Sequence, residues 1–384
     1  MKRYSAREMI DKLISFDTVS RHSNMELIDF VRDYLTGHGI ESHLVPNGDG
    51  SKANLYASVG PEVPGGVVLS GHTDVVPVDG QPWDSDPFQM VDKNGKLYGR
   101  GTCDMKSFIA IGLSLVPDMV AAGLKKPIHF ALSYDEEVGC VGAPSMVRAM
   151  AENLPRPQAV IIGEPTSMEI IHAHKGINGY ITTVTGHEAH SSQVQRGVSA
   201  VMTAARLVTF IEDMMIDNSK NSLSSFPFVP DYTTLHVGVI HGGTAMNIIS
   251  RQAEFCWDIR NIPENDPRDF VERFRAHCEP VIREMRKISP DCNIETVERS
   301  AAPALAPEPN GAAENLCRHL TGKNSVGVVS YGTEAGHFQE LEFSTVVCGP
   351  GSIDQAHQPN EFIDISQVEA SHKFIQKLIS HLTN

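Results

Sequence analysis

The sequence has no Cys-x-x-Cys pair, no long apolar run and no surplus of positive charge, and each absence removes a class of protein. Its seven cysteines, an odd number, are scattered at positions 103, 140, 256, 278, 292, 317 and 348. That spacing builds neither a disulfide framework nor a thiolate-rich structural zinc site. The longest apolar stretches, such as Ile109 to Val120, fall well short of the roughly 20 residues a membrane span needs. Lys and Arg number 32 against 47 Asp and Glu, a net charge of −15, and a field of that sign repels phosphate backbones and anionic lipid. Neither a nucleic-acid nor a membrane partner is expected. The opening MKRYSAREMIDKL carries charges into an amphipathic helix instead of a long apolar segment, so the cytoplasm is the expected location.

What is present is ample core material: 384 residues, 41% hydrophobic, enough for two domains. Apolar spacing predicts two helices between Met9 and His38, a helix from Met105 to Ala122 interrupted near Pro117, a short helix from Pro144 to Met150, and a final helix from Ile365 to Leu382. Short buried-type strands are expected at 43–45, 54–58, 67–69, 128–133, 159–162, 326–330 and 345–348. Strands alternating with helices, each strand ending in polar residues, predict an α/β layer with its chemistry at the strand carboxyl ends. From Gly179 the texture changes to alternating strands (180–184, 233–240, 252–259) and two helices (198–215, 267–288). This predicts a compact α+β insertion at 180–292, dividing the catalytic domain into 1–179 and 293–384.

Five strand ends carry acids or histidines. Val67 to Leu69 leads into His72-Thr73-Asp74, where alternation puts both side chains on one face and lets the Asp74 carboxylate hold the His72 imidazole. Asp104 follows a glycine-rich turn, Glu136 and Glu137 follow the strand 128–133, Glu164 ends 159–162, and His357 lies beyond the Gly349-Pro350-Gly351 turn. Taken singly these are a hydrogen-bonded strand end, a helix cap, a solvated acidic loop and ordinary turn residues. Taken together, two histidines and three carboxylates, one of them bridging, give two divalent ions three protein contacts each and leave a position for water. Imidazole and carboxylate without thiolate suit zinc, with cobalt or manganese as alternatives. Two such ions hydrolyse unactivated amides, and Glu136 remains as an acid beside them.

The segments GHTDVVP, YGRGTCDMK, DEEVG, GEPTS and GPGSIDQAHQPNE, in this order along nearly the whole chain, resemble the di-zinc amidohydrolase and peptidase family. The resemblance implies a zinc-exopeptidase-like α/β catalytic domain with an inserted lid or dimerisation domain, and a homodimer formed through that insertion. It implies two zinc ions per subunit, one on His72 and Glu164, the other on Glu137 and His357, with Asp104 bridging and Asp74 supporting His72. Glu136 would be the general base, His190 an oxyanion donor with His187 as its competitor, and Asn247 and Arg260 contacts to substrate. Lid closure would complete the site, and a cis peptide is implied at Asp104-Met105. Within the family, His174-Lys175-Gly176, HGGTAMN and YGTEAGHF look most like the branch that deacetylates N2-acetyl-L-ornithine, with Glu334 facing the substrate ammonium. Gly332 and Gly336 depart from that branch, where Cys and Pro stand. Other N-acyl amino acids (N-acetylcitrulline, N-succinyl-diaminopimelate) or dipeptides are the alternatives, and a non-catalytic metal-binding scaffold is a remote one.

Overall fold

A computed structural model describes residues 3–221 and 223–383; Met1 and Lys2, at the start of the charged amino-terminal segment, lie outside them. The chain divides into two compact units. The first comprises residues up to Ala173, then Leu305–Gly327 and from Thr333 onward. Its centre is four mutually parallel strands in the spatial order Ile128–Ser133, Val67–His72, Ala159–Pro165, Thr345–Gly349. Every residue of these strands is buried, the continuous apolar pattern of a sheet covered on both faces. Ala53–Val59 and Ser42–Pro46 extend one side antiparallel, and Ile171–His174 and Gly327–Val329 extend the other.

Helices cover this sheet for local reasons. Ala6–Ile14 starts at a capping box, in which Ser5 Oγ accepts from the Glu8 N–H and the Glu8 carboxylate accepts from the Ser5 N–H. The stretch expected as one interrupted helix is two, Lys106–Ser114 and Val116–Ala122, with Pro117 in the first turn of the second, where its missing N–H leaves no bond unmade. Lys106–Ser114 is buried on all sides. It packs so closely that a Cβ on Gly163 would lie 2.0 Å from the Phe108 ring, so only glycine fits beside Glu164. All four parallel strands end at one edge, and they deliver His72, Ser133, Glu164 and Gly349 there.

The second unit spans His174–Ala304 with Val328–Gly332. It holds an antiparallel sheet in the order Thr234–Gly242, Gln252–Arg260, Ile177–Thr185, Asn293–Ala302. Strict burial alternation along Ile177–Thr185 puts Tyr180 and Val184 into one core with Phe255, Trp257 and residues of the helices Ala200–Asn221 and Pro267–Arg286. The insertion is thus longer than the expected 180–292. Asn293–Ala302 pairs along Ile177–Thr185 and belongs to this sheet, although the sequence placed it in the returning catalytic segment. Thr234–Gly242 is an edge strand with Val239 and Ile240 about half exposed.

Candidate active site

At the carboxyl edge of the parallel sheet the first unit gathers the acids and histidines singled out above. His72 is 1% exposed, and its Nδ1 faces the backbone carbonyl of Asp74 at 2.9 Å. A carbonyl only accepts, so Nδ1 carries a proton and Nε2 is the atom offered to the site. Nε2 lies 2.9 Å from Asp104 Oδ1 and 3.7 Å from Glu164 Oε1. The other Asp104 oxygen, Oδ2, is 3.3 Å from His357 Nε2, which is 3.0 Å from Glu137 Oε2. Asp104 therefore presents one oxygen to each histidine, the disposition a bridging carboxylate requires. Ligand atoms around one tetrahedral ion lie roughly 3.3 Å apart, and these separations bracket that value.

The expected role of Asp74 differs in detail. Its Oδ1 is 3.7 Å from His72 Nδ1, beyond a hydrogen bond, because the backbone carbonyl takes that place. The Asp74 carboxylate instead accepts from Ser20 Oγ (2.7 Å) and from the N–H groups of Glu136 (3.1 Å) and Glu137 (3.3 Å). It fixes the backbone that carries the two glutamates, and reaches His72 through its own carbonyl.

A residue the sequence reading passed over holds Asp104 in place. Glu361, 1% exposed, accepts from the N–H groups of Gly101 (3.1 Å), Cys103 (2.7 Å) and Asp104 (3.0 Å), and from Arg100 Nη1 at 2.7 Å. The buried carboxylate thus draws the whole 100–104 loop around itself. Its signal was present at the end of GPGSIDQAHQPNE, and a buried Arg paired with a Glu is the usual way such a charge is tolerated. The peptide Asp104-Met105 is cis, as the resemblance implies.

Glu334 is not where a substrate ammonium could meet it. It is 1% exposed, and its two oxygens accept from Ser70 Oγ (2.5 Å) and Ser133 Oγ (2.6 Å). Its carboxylate is spent on the two parallel strands that carry His72 and the Glu136-Glu137 pair. In the second unit, His190 and Asn247 lie on adjoining segments: the Ser191 N–H donates to the Asn247 carbonyl at 3.0 Å, and His190 Nδ1 is 2.7 Å from Ser192 Oγ. His187 pairs through its backbone with Val198. The Arg260 Nε donates to Asp258 Oδ2 at 2.6 Å, which aims the guanidinium and takes up part of its charge.

The electrostatics of the cluster ask for cations. Burial, with the neighbouring acids, pushes the Glu136 carboxyl up to about 8 and Glu137 up to about 7, and raises Glu164 well above the carboxylate range. Contacts with Asp104 and Glu137 raise His357 to about 10. Burial opposes charge on His72, yet its hydrogen bond to Asp104 and the surrounding acids raise it well above the usual imidazole value. Glu137 Oε1 is buried without a hydrogen-bond partner among the described residues. A buried orphan oxygen beside an imidazole suits a metal ion, and so does the donor set: ligand atoms of His72, Asp104 and Glu137 lie within 4.8 Å of one another, as do those of His72, Glu136 and Glu164. His357, with 53% of its side chain exposed, marks the open face.

The profile of peptidase family M20/M25/M40 matches residues 68–381, and the chain belongs to this family. It is 33% identical over 380 residues to an acetylornithine deacetylase of Pasteurella multocida, covering 99% of this chain and 97% of that protein. It is 36% identical over 369 residues to the acetylornithine deacetylase of Proteus mirabilis, covering 95% and 92%. An M20 family metallo-carboxypeptidase of Sulfolobus solfataricus shares the fold with a TM-score of 0.78 at 17% identity, over 99% of both chains. A dinuclear metal-binding peptidase of the same family from Bacillus subtilis superposes with a TM-score of 0.65 at 16% identity, over 98% of this chain and 97% of that one. The protein is a metal-dependent amidohydrolase of mixed α/β fold.

Without cations the cluster stores protons at neutral pH, on both imidazoles and on the raised carboxyls. Metal must displace them, so affinity should weaken as pH falls from about 8 toward 6, and binding should release protons. Calorimetric titration of chelator-stripped protein with zinc, in buffers of different ionisation enthalpy, reads that release directly. A pH-independent affinity with no proton release would contradict the picture.

Proposed function

We propose that the protein hydrolyses N2-acetyl-L-ornithine to L-ornithine and acetate, a step of arginine biosynthesis, with two zinc ions per subunit; cobalt or manganese fit the same donors. The observation that carries this reading is the convergence of His72, Asp104, Glu137, Glu164 and His357 around one buried centre beside Glu136. Curated relatives named acetylornithine deacetylase support the substrate. Two divalent ions there would polarise the scissile carbonyl and make a water acidic enough to lose its proton near neutral pH.

The chain's own residues do the rest. Asp104 would bridge the two ions, His72 with Glu164 and Glu137 with His357 would complete the two donor sets, and Asp74 holds the Glu136-Glu137 backbone. Glu136 takes the proton from the attacking water and delivers it to the leaving amine; its carboxyl, buried beside the donor sets, is the acid there that neither set needs as a ligand. His190 donates to the developing oxyanion, while Asn247 and Arg260 bind the substrate carboxylate.

A second reading keeps the chemistry and changes the substrate. Because Glu334 is engaged by two serines, nothing assigned so far recognises a terminal ammonium, and an N-acyl amino acid with a neutral side chain, such as N-acetylcitrulline, fits as well. Steady-state hydrolysis of N2-acetyl-L-ornithine, N-acetylcitrulline, N-acetylmethionine and N-succinyl-diaminopimelate by zinc-loaded enzyme decides between them. Preference for acetylornithine supports the proposal; preference for acetylcitrulline replaces its substrate. Glu136→Gln should keep the metal and lose on the order of 10²–10⁴ in turnover, and a variant that stays active would remove Glu136 from the role of base.

The exposed edge strand Thr234–Gly242 supports a homodimer through the inserted unit. No helix among the described residues is long and apolar enough to cross a membrane. Ile240→Lys should convert the dimer to a monomer in light scattering. A wild-type protein that is already monomeric would exclude it.

A further inference from the structure

Glu136 stands among acids. A carboxylate oxygen of Glu136 lies within 4.8 Å of ligand atoms of His72 and Glu164, and with His72 attracting it while Glu137, Asp104 and Asp74 repel it, its direction has to be fixed by a further contact. Among the described residues, the only hydrogen bond to its carboxylate comes from Cys140, whose Sγ donates to Glu136 Oε1 at 3.2 Å.

The backbone is shaped to make that contact. After Asp135, at φ +55°, the chain turns back so that the N–H groups of Gly139 (2.9 Å) and Cys140 (2.8 Å) donate to the Glu136 carbonyl, and Val141 N–H donates to Asp135 O (3.1 Å). Cys140 itself adopts φ +57°, a conformation that non-glycine residues rarely take and that glycine would relieve. A cysteine held there at a conformational penalty, 1% exposed, with its sulfur against a site carboxylate, has a task its side chain performs.

We propose that Cys140 is a positioning residue for Glu136: its thiol fixes Oε1 and leaves Oε2 as the oxygen that exchanges the proton with water and leaving group. The inference rests on Glu136 as base. A thiol fits this place because it is compact, tolerates burial, and is a donor weak enough to hold the carboxylate without suppressing its basicity. Burial raises the thiol well above its usual value, so the S–H is present whenever the enzyme works.

The test uses zinc-loaded enzyme and the fastest substrate of the panel above. Cys140→Ala should lower kcat by about tenfold, the scale on which groups supporting a metal site act, with KM and bound zinc within twofold of the parent. Cys140→Ser, which keeps a donor, should recover most of the loss. Cys140→Gly removes the donor but suits the backbone at φ +57°, so it should lose turnover like Ala even where Ala melts early. Donor-free variants with kcat within twofold of the parent, or a folded Ser variant no better than Ala, would overturn the proposal. Glu136→Gln run alongside separates the two ideas. If it is inactive while Cys140→Ala is fully active, only the role of Cys140 falls; if it is active, the base assignment falls first.

Discussion

The structure of the first unit is organised around buried like charge. Asp104, Glu136, Glu137 and Glu164 converge beside Asp74, the four with only His72 and His357 as charged counterweights, and no Lys or Arg ion pair to any of the five is formed among the described residues. Bringing five carboxylates out of water and against one another is strongly unfavourable unless cations or protons join them. The fold must therefore hold them together rigidly enough that repulsion is relieved by an arriving ion and not by side chains swinging out to solvent.

That rigidity is distributed over neighbours that never face the metals. The parallel strands set His72 and Glu164 at adjacent ends of one buried sheet, with their backbones fixed by the ladder. Glu361 gathers the 100–104 loop through three N–H groups and Arg100, so Asp104 has no freedom to retreat. Asp74 does the same for the Glu136-Glu137 backbone. Glu334, through Ser70 and Ser133, ties the strand that carries His72 to the strand that leads into the two glutamates. Each of these carboxylates is itself neutralised by N–H, hydroxyl or guanidinium donors. The site is thus built of two populations of acids, one satisfied by protein donors and one left for cations.

The sequence made the second population legible and the first only partly so. His72, Glu137 and Glu164 announce themselves close after apolar runs, and Asp104 and His357 just beyond glycine-rich turns, patterns that the local sequence exposes. What Glu334 and Asp74 touch depends on residues remote in the chain or on backbone groups, Ser70 and Ser133 in one case and the Glu136-Glu137 amides in the other, and no local pattern encodes that. The same divide runs through the fold. The buried strands expected at 128–133 and 159–162 are rich in apolar residues and were readable, the second running on through Gly163-Glu164-Pro165. Asn293–Ala302 is polar and half exposed along its length, a strand only because Ile177–Thr185 lies beside it, so the insertion was cut short there. Ala312–Thr321 carries Ala313, Leu316, Cys317 and Leu320 at helical spacing and was open to being read, whereas Ala335–Glu340, six residues long with Gly336 inside it, is too short for a periodicity to show.

The charge count also bears on how many ions the centre takes. A single divalent ion would leave the five convergent carboxylates with a large residual negative charge in a buried place, whereas two would bring it close to balance. His357 fits this reading. It is the most exposed of the group, in a left-handed backbone conformation at φ +61°, and it lies against Asp104 Oδ2 and Glu137 Oε2, whereas His72 is buried against Asp104 Oδ1. The two histidines are therefore unequally placed: one is sealed into the sheet and one is open to solvent. An ion held at His72 would sit among buried ligands, and one held at His357 would lie on the face open to solvent.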